Sequence, residues 1–163
     1  MNRESISTRT LVLAGLAGGM AEVAWVAGYC AVTPLTGGTV LGEITNSVFP
    51  AWASAPFAPA LGMLIHFTLA IAVALAFGLA VSRSYAAKRS PNALMTTSLL
   101  ALAAIWTFNF FVLLPVLNPV FVALMPYPVT LISKLLFGVA MGAVLLRAPV
   151  RSASRLDAVS AHA

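Results

Sequence analysis

The sequence predicts an all-α membrane protein. It reads as a four-transmembrane-helix bundle, N-in/C-in, with short interfacial helices in the two outer connections. Composition is the first observation behind this. The 163 residues are 61% hydrophobic and 8% charged, with a mean hydropathy of +0.99. A soluble domain is about half apolar and about a quarter charged. A chain of this size cannot hide so much apolar surface from water, so lipid is the expected solvent. The second observation is four long apolar stretches, each near the ~20 residues that cross ~30 Å of hydrocarbon. The third is where the cations lie. Arg3 and Arg9 precede the first stretch, Arg83, Lys88 and Arg89 separate the second from the third, and Arg147, Arg151 and Arg155 follow the fourth. The other two connections carry no Lys or Arg, and Lys134 is the single cation inside a stretch. This is the positive-inside pattern, and it places both termini in the cytoplasm.

The spans are expected at about 10–30, 61–81, 93–114 and 129–146, within a transmembrane domain of residues 1–147. Residues 148–163 are polar and are expected to form a disordered cytoplasmic tail. Helix is required, because a lipid-exposed strand would leave N–H and C=O groups unpaired. The first stretch has an Arg-bearing start, but it is longer than the ~7–15 apolar residues of a signal core, so it reads as a retained span. The lone Cys30 excludes an intrachain disulfide. Pro91-Asn92 precedes span three, Pro115 is expected to end it, and Pro126 and Pro128 precede span four. Trp52, Tyr127, Tyr29 and Tyr85 fall near the expected interfaces.

Thr33–Ala60 is too long for a bare loop in so compact a chain, and Thr39–Phe49 is expected to form a surface helix. Asn118-Pro119 supplies an N-cap and a proline at the first helical position, which opens a short helix over Val120–Met125. Both connections contain Val-Phe-x-Ala followed by proline, at Val48 to Pro56 and at Val120 to Pro126. The match fits either two parallel copies of a helix–surface helix–helix unit or a chance coincidence of apolar residues that are common throughout the chain.

Lipid provides little drive for helix association, so small residues mark contact faces. Gly15, Gly18 and Gly19 in span one and Gly138 and Gly142 in span four are the expected packing positions. Each lone ionisable residue shares its helix side with them. Glu22 follows Gly15 and Gly18, His66 lies among Gly62, Ala70, Ala74 and Gly78, and Lys134 precedes Gly138. By helical rise, His66, Asn109 and Lys134 lie roughly 7–8 Å inside the outer end of their spans and Glu22 roughly 12 Å. Glu22, His66, Asn109 and Lys134 are therefore the candidate intramembrane polar cluster. A charge facing lipid at mid-bilayer would cost about 2.5–3.5 kcal/mol, and ionisable groups kept at that depth are functional by default. Plainer readings exist. Lys134 snorkels to headgroups, Asn109 makes a packing hydrogen bond, His66 is a satisfied interior histidine, and Glu22 is paired for structure alone.

The high pI of 10.2 does not point to nucleic acid, because the cations sit beside spans, where they orient the chain and attract anionic headgroups. Bis-histidine haem is excluded, since His162 lies in the tail and leaves His66 alone at membrane depth. Zinc would need three or four ligands. No phosphate-loop, dinucleotide, HExxH or GxSxG motif occurs. No catalytic residue, cofactor or metal is therefore expected, and the chain does not read as an enzyme.

Residues 18–27 (GGMAEVAWVA), 64–67 (LIHF), 118–121 (NPVF) and 133–138 (SKLLFG) resemble a family of small bacterial integral membrane proteins with no established activity, some automatically labelled sodium/proline symporter. The resemblance covers most of residues 10–147. It implies that Glu22, His66, Asn118 and Lys134 belong to the family's pattern, and it implies no reaction. Symport between repeated bundles normally uses broken helices, so four uninterrupted spans would manage it only as an oligomer. Two functions are expected from the residues: passage of a proton, ion or small solute through the polar cluster, or a non-catalytic accessory role in a larger membrane complex. A membrane-embedded enzyme ranks below both, because no nucleophile–base pair or metal set is visible in the sequence. The expected setting is the cell inner membrane. The expected partners are the lipid bilayer and either further copies of the chain or that larger complex.

Overall fold

A computed structural model describes residues 6–83 and 90–147, and the side chains of all of these except Ser82 and Arg83. Arg3, Tyr85, Lys88, Arg89, Arg151, Arg155, His162 and the tail at 148–163 lie outside the described residues. The described chain consists of helices and short connections. Helix α1 spans Thr8–Ala31, α2 spans Gly37–Val48, and a 3₁₀ turn follows at Pro50–Trp52. Helix α3 spans Ala58–Arg83. Helix α4 (Pro91–Phe108) runs through a π-helical turn (Asn109–Leu113) into one last α turn, α5 (Leu114–Leu117). Helices α6 (Pro119–Leu124) and α7 (Tyr127–Arg147) complete the chain. Four of these units are long and apolar enough to cross a membrane: α1, α3, α4 with α5, and α7.

The helix starts follow from capping chemistry. Ser7, Thr36, Ser90 and Asn118 each offer a side-chain oxygen to a backbone N–H of the first turn, and proline follows the last two at the first helical position. The short helices begin and end within two residues of the sequence expectation.

Span three departs from expectation. Pro115 does not end it; the helix continues to Leu117. Proline lacks an N–H and its ring presses on the carbonyl four residues back. The π turn just before it, in which the Leu114 N–H donates to the Asn109 carbonyl, widens the coil and absorbs that misfit. The same widening brings residues five apart into line. Trp106 therefore meets Phe111, five residues on, edge-on at 5.6 Å; it also stacks on Phe110 at the ordinary spacing of four, at 5.7 Å, and Tyr127 contacts all three rings.

Helix α1 packs between α3 and α7, and α7 between α1 and α4; α2 lies on α3. No comparable pairing joins α3 to α4 among the described residues, so the bundle is open on that side. Within each half of the chain the two spans pair with each other, α1 with α3 and α4 with α7, whereas the α1–α7 contact has no comparable α3–α4 counterpart among the described residues. The core runs through the seams, from Leu11 and Ala14 on α1 to Ala70, Ala74 and Phe77 on α3, and across to Phe137 and Met141 on α7 with Leu102 on α4.

Glycine sets how closely the helices approach. A Cβ on Gly15 would stand 2.7 Å from the Ile71 Cα, and one on Gly18 would stand 2.6 Å from the Phe137 ring. One on Gly62 would overlap the Leu41 carbonyl oxygen of α2. Backbone cannot retreat as a side chain can, so Gly62→Ala is expected to lower stability by about 1–3 kcal/mol. Gly28, with nothing within 4 Å of an added Cβ, is the control, and Gly28→Ala is expected to raise stability by about 0.5–1 kcal/mol. Thermal melting of both variants in a maltoside detergent checks the contrast.

Candidate functional site

The α1–α7 seam carries the only ion pair among the described residues. Its antiparallel register sets Gly18 against Phe137, Glu22 against Ser133 and Lys134, and Trp25 against Val129. The Lys134 Nζ stands 2.7 Å from Glu22 Oε1 and 3.0 Å from Oε2. The carboxylate side chain is 5% exposed and the ammonium side chain 24%. The Ser133 hydroxyl also reaches Glu22 Oε1, at 3.4 Å, but its single proton lies closer to the Thr130 carbonyl, at 2.8 Å. Lys134 is therefore the main partner of the carboxylate. The ammonium also stands 5.9 Å from the centre of the Phe137 ring, within range of a cation–π attraction. The Trp25 indole N–H donates to the Val129 carbonyl at 2.9 Å and holds the register one turn further along.

His66 lies next to this pair without joining it. Its Nε2 is 3.2 Å from the Gly19 carbonyl. A carbonyl only accepts, so the contact requires the proton on Nε2. No hydrogen bond joins His66 to Glu22 or Lys134 among the described residues. Asn109 is set apart. It opens the π turn on span three, and its side chain makes no hydrogen bond among the described residues. Counted along the observed helices, all four residues lie roughly 10–14 Å from the same end of the bundle. The four thus share a layer, but the structure joins only Glu22 to Lys134 and brings His66 to the neighbouring backbone.

The helix sides also differ from expectation. Gly15 and Gly19 meet α3, through Ile71, Ala70 and Phe67, whereas Gly18 meets Phe137 of α7. Gly138 and Gly142 meet α4, through Leu99, Ser98 and Met95, whereas Lys134 turns to α1. The charged residue and the glycines of α7 therefore serve different neighbours. Helices flanked on two sides divide positions that a single-face reading groups together. At the α4–α7 contact, the buried Ser98 hydroxyl stands 2.8 Å from the Met95 carbonyl and 3.1 Å from the Gly138 carbonyl.

A second polar group joins the two short helices; of its members only Asn118, as an N-cap and as part of the resemblance's pattern, is singled out from sequence. The Asn118 Nδ2 reaches Glu43 Oε2 at 2.9 Å, the Glu43 carbonyl at 3.0 Å and Ser47 Oγ at 3.1 Å. Its Oδ1 accepts from the Phe121 N–H at 3.0 Å. Asn46 Nδ2 donates to the same Glu43 oxygen at 3.0 Å. Asn118 thus caps α6 and ties it to α2, and it is 2% exposed. The signal in the sequence was Glu43, Asn46 and Ser47 at helical spacing beside an N-cap asparagine far along the chain.

No group of three metal-ligating side chains occurs among the described residues. Two open grooves of about 420 Å³ lie at the end formed by the short helices, one lined by Pro115, Pro119 and Tyr127 and the other by Gly42, Glu43 and Pro56. Neither is lined by Glu22, His66 or Lys134. In comparisons with known proteins, the chain matches no family model, no curated protein and no solved structure. The functional reading therefore rests on the chain's own geometry.

Removing one partner of a buried pair strands the other charge, so Glu22→Gln and Lys134→Met are each expected to cost about 3 kcal/mol. The double variant is expected to recover part of that loss. Melting temperatures of the four proteins in detergent, compared as a double-mutant cycle, check the coupling. Additive losses would rule it out.

Proposed function

We propose that this chain is a multi-pass inner-membrane protein, N-in/C-in with α2 and α6 at the outer interface, that passes a proton, ion or small solute at the Glu22–Lys134 pair. The pair itself supports this reading. A buried ion pair contributes little net stability, because desolvating both groups offsets their attraction. Apolar residues of like volume would hold the α1–α7 seam as well. A carboxylate kept at this depth is better explained by what it can bind. Its partner is the more exposed of the two, so a proton or cation has a route to the carboxylate once the ammonium swings aside. Neutralised in that way, Glu22 no longer holds Lys134, and the seam is free to open. His66 lies beside the pair, one turn of α1 away at the Gly19 carbonyl.

Neither groove at the short-helix end is lined by the pair, and this favours an oligomer as the working unit. The α3 and α4 sides, which form no extensive pairing with each other among the described residues, offer surface for contact between copies.

A second reading is an accessory subunit of a larger membrane complex. It is favoured by span three, whose most apolar window is 17% buried within the chain. Most of that surface is available to lipid or to another protein.

Purified protein in liposomes carrying a pH-sensitive or ion-sensitive dye tests the first reading. The wild type is expected to conduct. The Glu22→Gln/Lys134→Met double variant is expected to stay folded and to conduct nothing. A double variant that conducts as the wild type does would remove the pair from the pathway. A wild type that conducts nothing but co-purifies from native membranes with a stoichiometric partner would move the assignment to the second reading.

A further inference from the structure

We propose that the groove between α2 and the start of α3 is a binding site for an ammonium group, with Glu43 as its anion. Glu43 is the only charged residue in either of the connections that carry α2 and α6. Its partners are neutral: the Asn46 and Asn118 amides both donate to Oε2. No ion pair among the described residues includes it, and Lys134 is held by Glu22. Oε1 has no partner among the described residues. Every sealed side-chain oxygen in the described structure does have one, so Oε1 is not sealed from solvent. A part-buried carboxylate with one oxygen fixed by two amides and the other open is pre-oriented to receive a cation.

The surroundings select which cation. The groove of about 420 Å³ is lined on the α2 side by Gly38, Thr39, Gly42 and Glu43, and on the other by alanines and prolines including Ala53, Ala55, Pro56 and Pro59. That volume suits a small organic molecule. The opposite wall offers methyl groups and proline rings, which suit a hydrocarbon body and do little for a bare metal ion. No three-ligand metal set is present among the described residues. Gly38 and Gly42 keep the α2 wall low, and an added Cβ at Gly42 would have nothing within 4 Å. The geometry therefore points to an alkylammonium, its N–H donors on Glu43 Oε1 and its chain along the proline wall. The ammonium can belong to a free amine or to the headgroup of a phosphatidylethanolamine. This site is separate from the Glu22–Lys134 pair, and its assignment does not depend on the transport reading.

Two binding arms on the full chain in maltoside micelles test the proposal. The first titrates n-butylammonium by calorimetry, with n-butanol as the neutral counterpart. The second scores retention of phosphatidylethanolamine against phosphatidylglycerol by native mass spectrometry. Binding in either arm is expected, with the butanol or phosphatidylglycerol control silent; the first arm identifies a free amine as the ligand and the second a lipid headgroup. Glu43→Gln keeps an oxygen for Asn46 and Asn118 but removes the charge, and it is expected to weaken binding at least tenfold. Gly42→Leu fills the groove from a position with free space and is expected to abolish binding in a folded protein, so the proposal stays testable if Glu43→Gln does not fold. Silence of the wild type in both arms would overturn the proposal. So would unchanged binding in Gly42→Leu, or displacement of butylammonium by an equal concentration of Na⁺.

Discussion

A charge inside hydrocarbon must have a partner, and Glu22 finds Lys134 at one position of α7 only. That requirement, more than apolar packing, fixes how α1 lies on α7. Apolar faces slide over one another at small cost in lipid, because the acyl chains offer the same dispersion contacts as a leucine. A carboxylate does not slide. With Glu22 facing Lys134, Gly18 necessarily falls beneath the Phe137 ring and Trp25 beneath the Val129 carbonyl. Helix α3 then attaches to the Gly15–Gly19 side of α1, and α4 to the Gly138–Gly142 side of α7. The two outer members of the bundle are placed through the two inner ones.

Polar groups follow the same logic elsewhere. Three hydroxyl or indole groups within the spans answer a carbonyl or hydroxyl on a neighbouring helix: Ser98 to Gly138, Trp25 to Val129, and Trp106 to the Thr130 hydroxyl at 3.0 Å; Thr68, Thr97 and Thr107 instead bond back to carbonyls of their own helices. At the end that carries the short helices, Thr45 donates to the Ala58 carbonyl at 2.6 Å, and Asn118 bridges α2 and α6. Such bonds add direction to contacts that van der Waals packing alone would leave loose. Each contributes modestly, since the alternative in the membrane is another partner rather than water. Together they select one register at each seam.

The spans were legible in the sequence because a long apolar run admits one answer in lipid, and the helix starts were legible because Ser90-Pro91 and Asn118-Pro119 carry their own capping chemistry. The passage of helix through Pro115 was not legible. It depends on a π turn whose ring contacts involve Tyr127, on a different span. The pairing of Glu22 with Lys134 was within reach of depth and chemistry, and the inclusion of Asn109 was not refuted by either. Depth places a residue in a layer but does not say which neighbour its helix turns toward. Gly15 and Gly18 illustrate the limit: about 60° apart on the helix, they touch different helices. Glu43 escaped attention because its partner Asn118 is distant in sequence and the segment that holds it reads only as a surface helix, with no cation nearby in sequence to pair the carboxylate.

The two carboxylates of the described chain invite a comparison that bears on function. Glu22 and Glu43 both lie on helices with glycines nearby, and both are held by side chains from distant segments. They differ in what holds them. Glu22 has a cation of this chain within 3 Å, so a visiting cation must displace it. Glu43 has only amides, so its charge remains unanswered. The first arrangement makes occupancy by an external cation conditional on a conformational change; the second leaves a standing site at the rim. A chain that carries its single intramembrane cation opposite one carboxylate, and none in the two connections around the other, separates a closed anion from an open one. That separation follows from the placement of Lys134 alone. Moved to either connection, the same cation would leave Glu22 stranded in hydrocarbon and neutralise the rim.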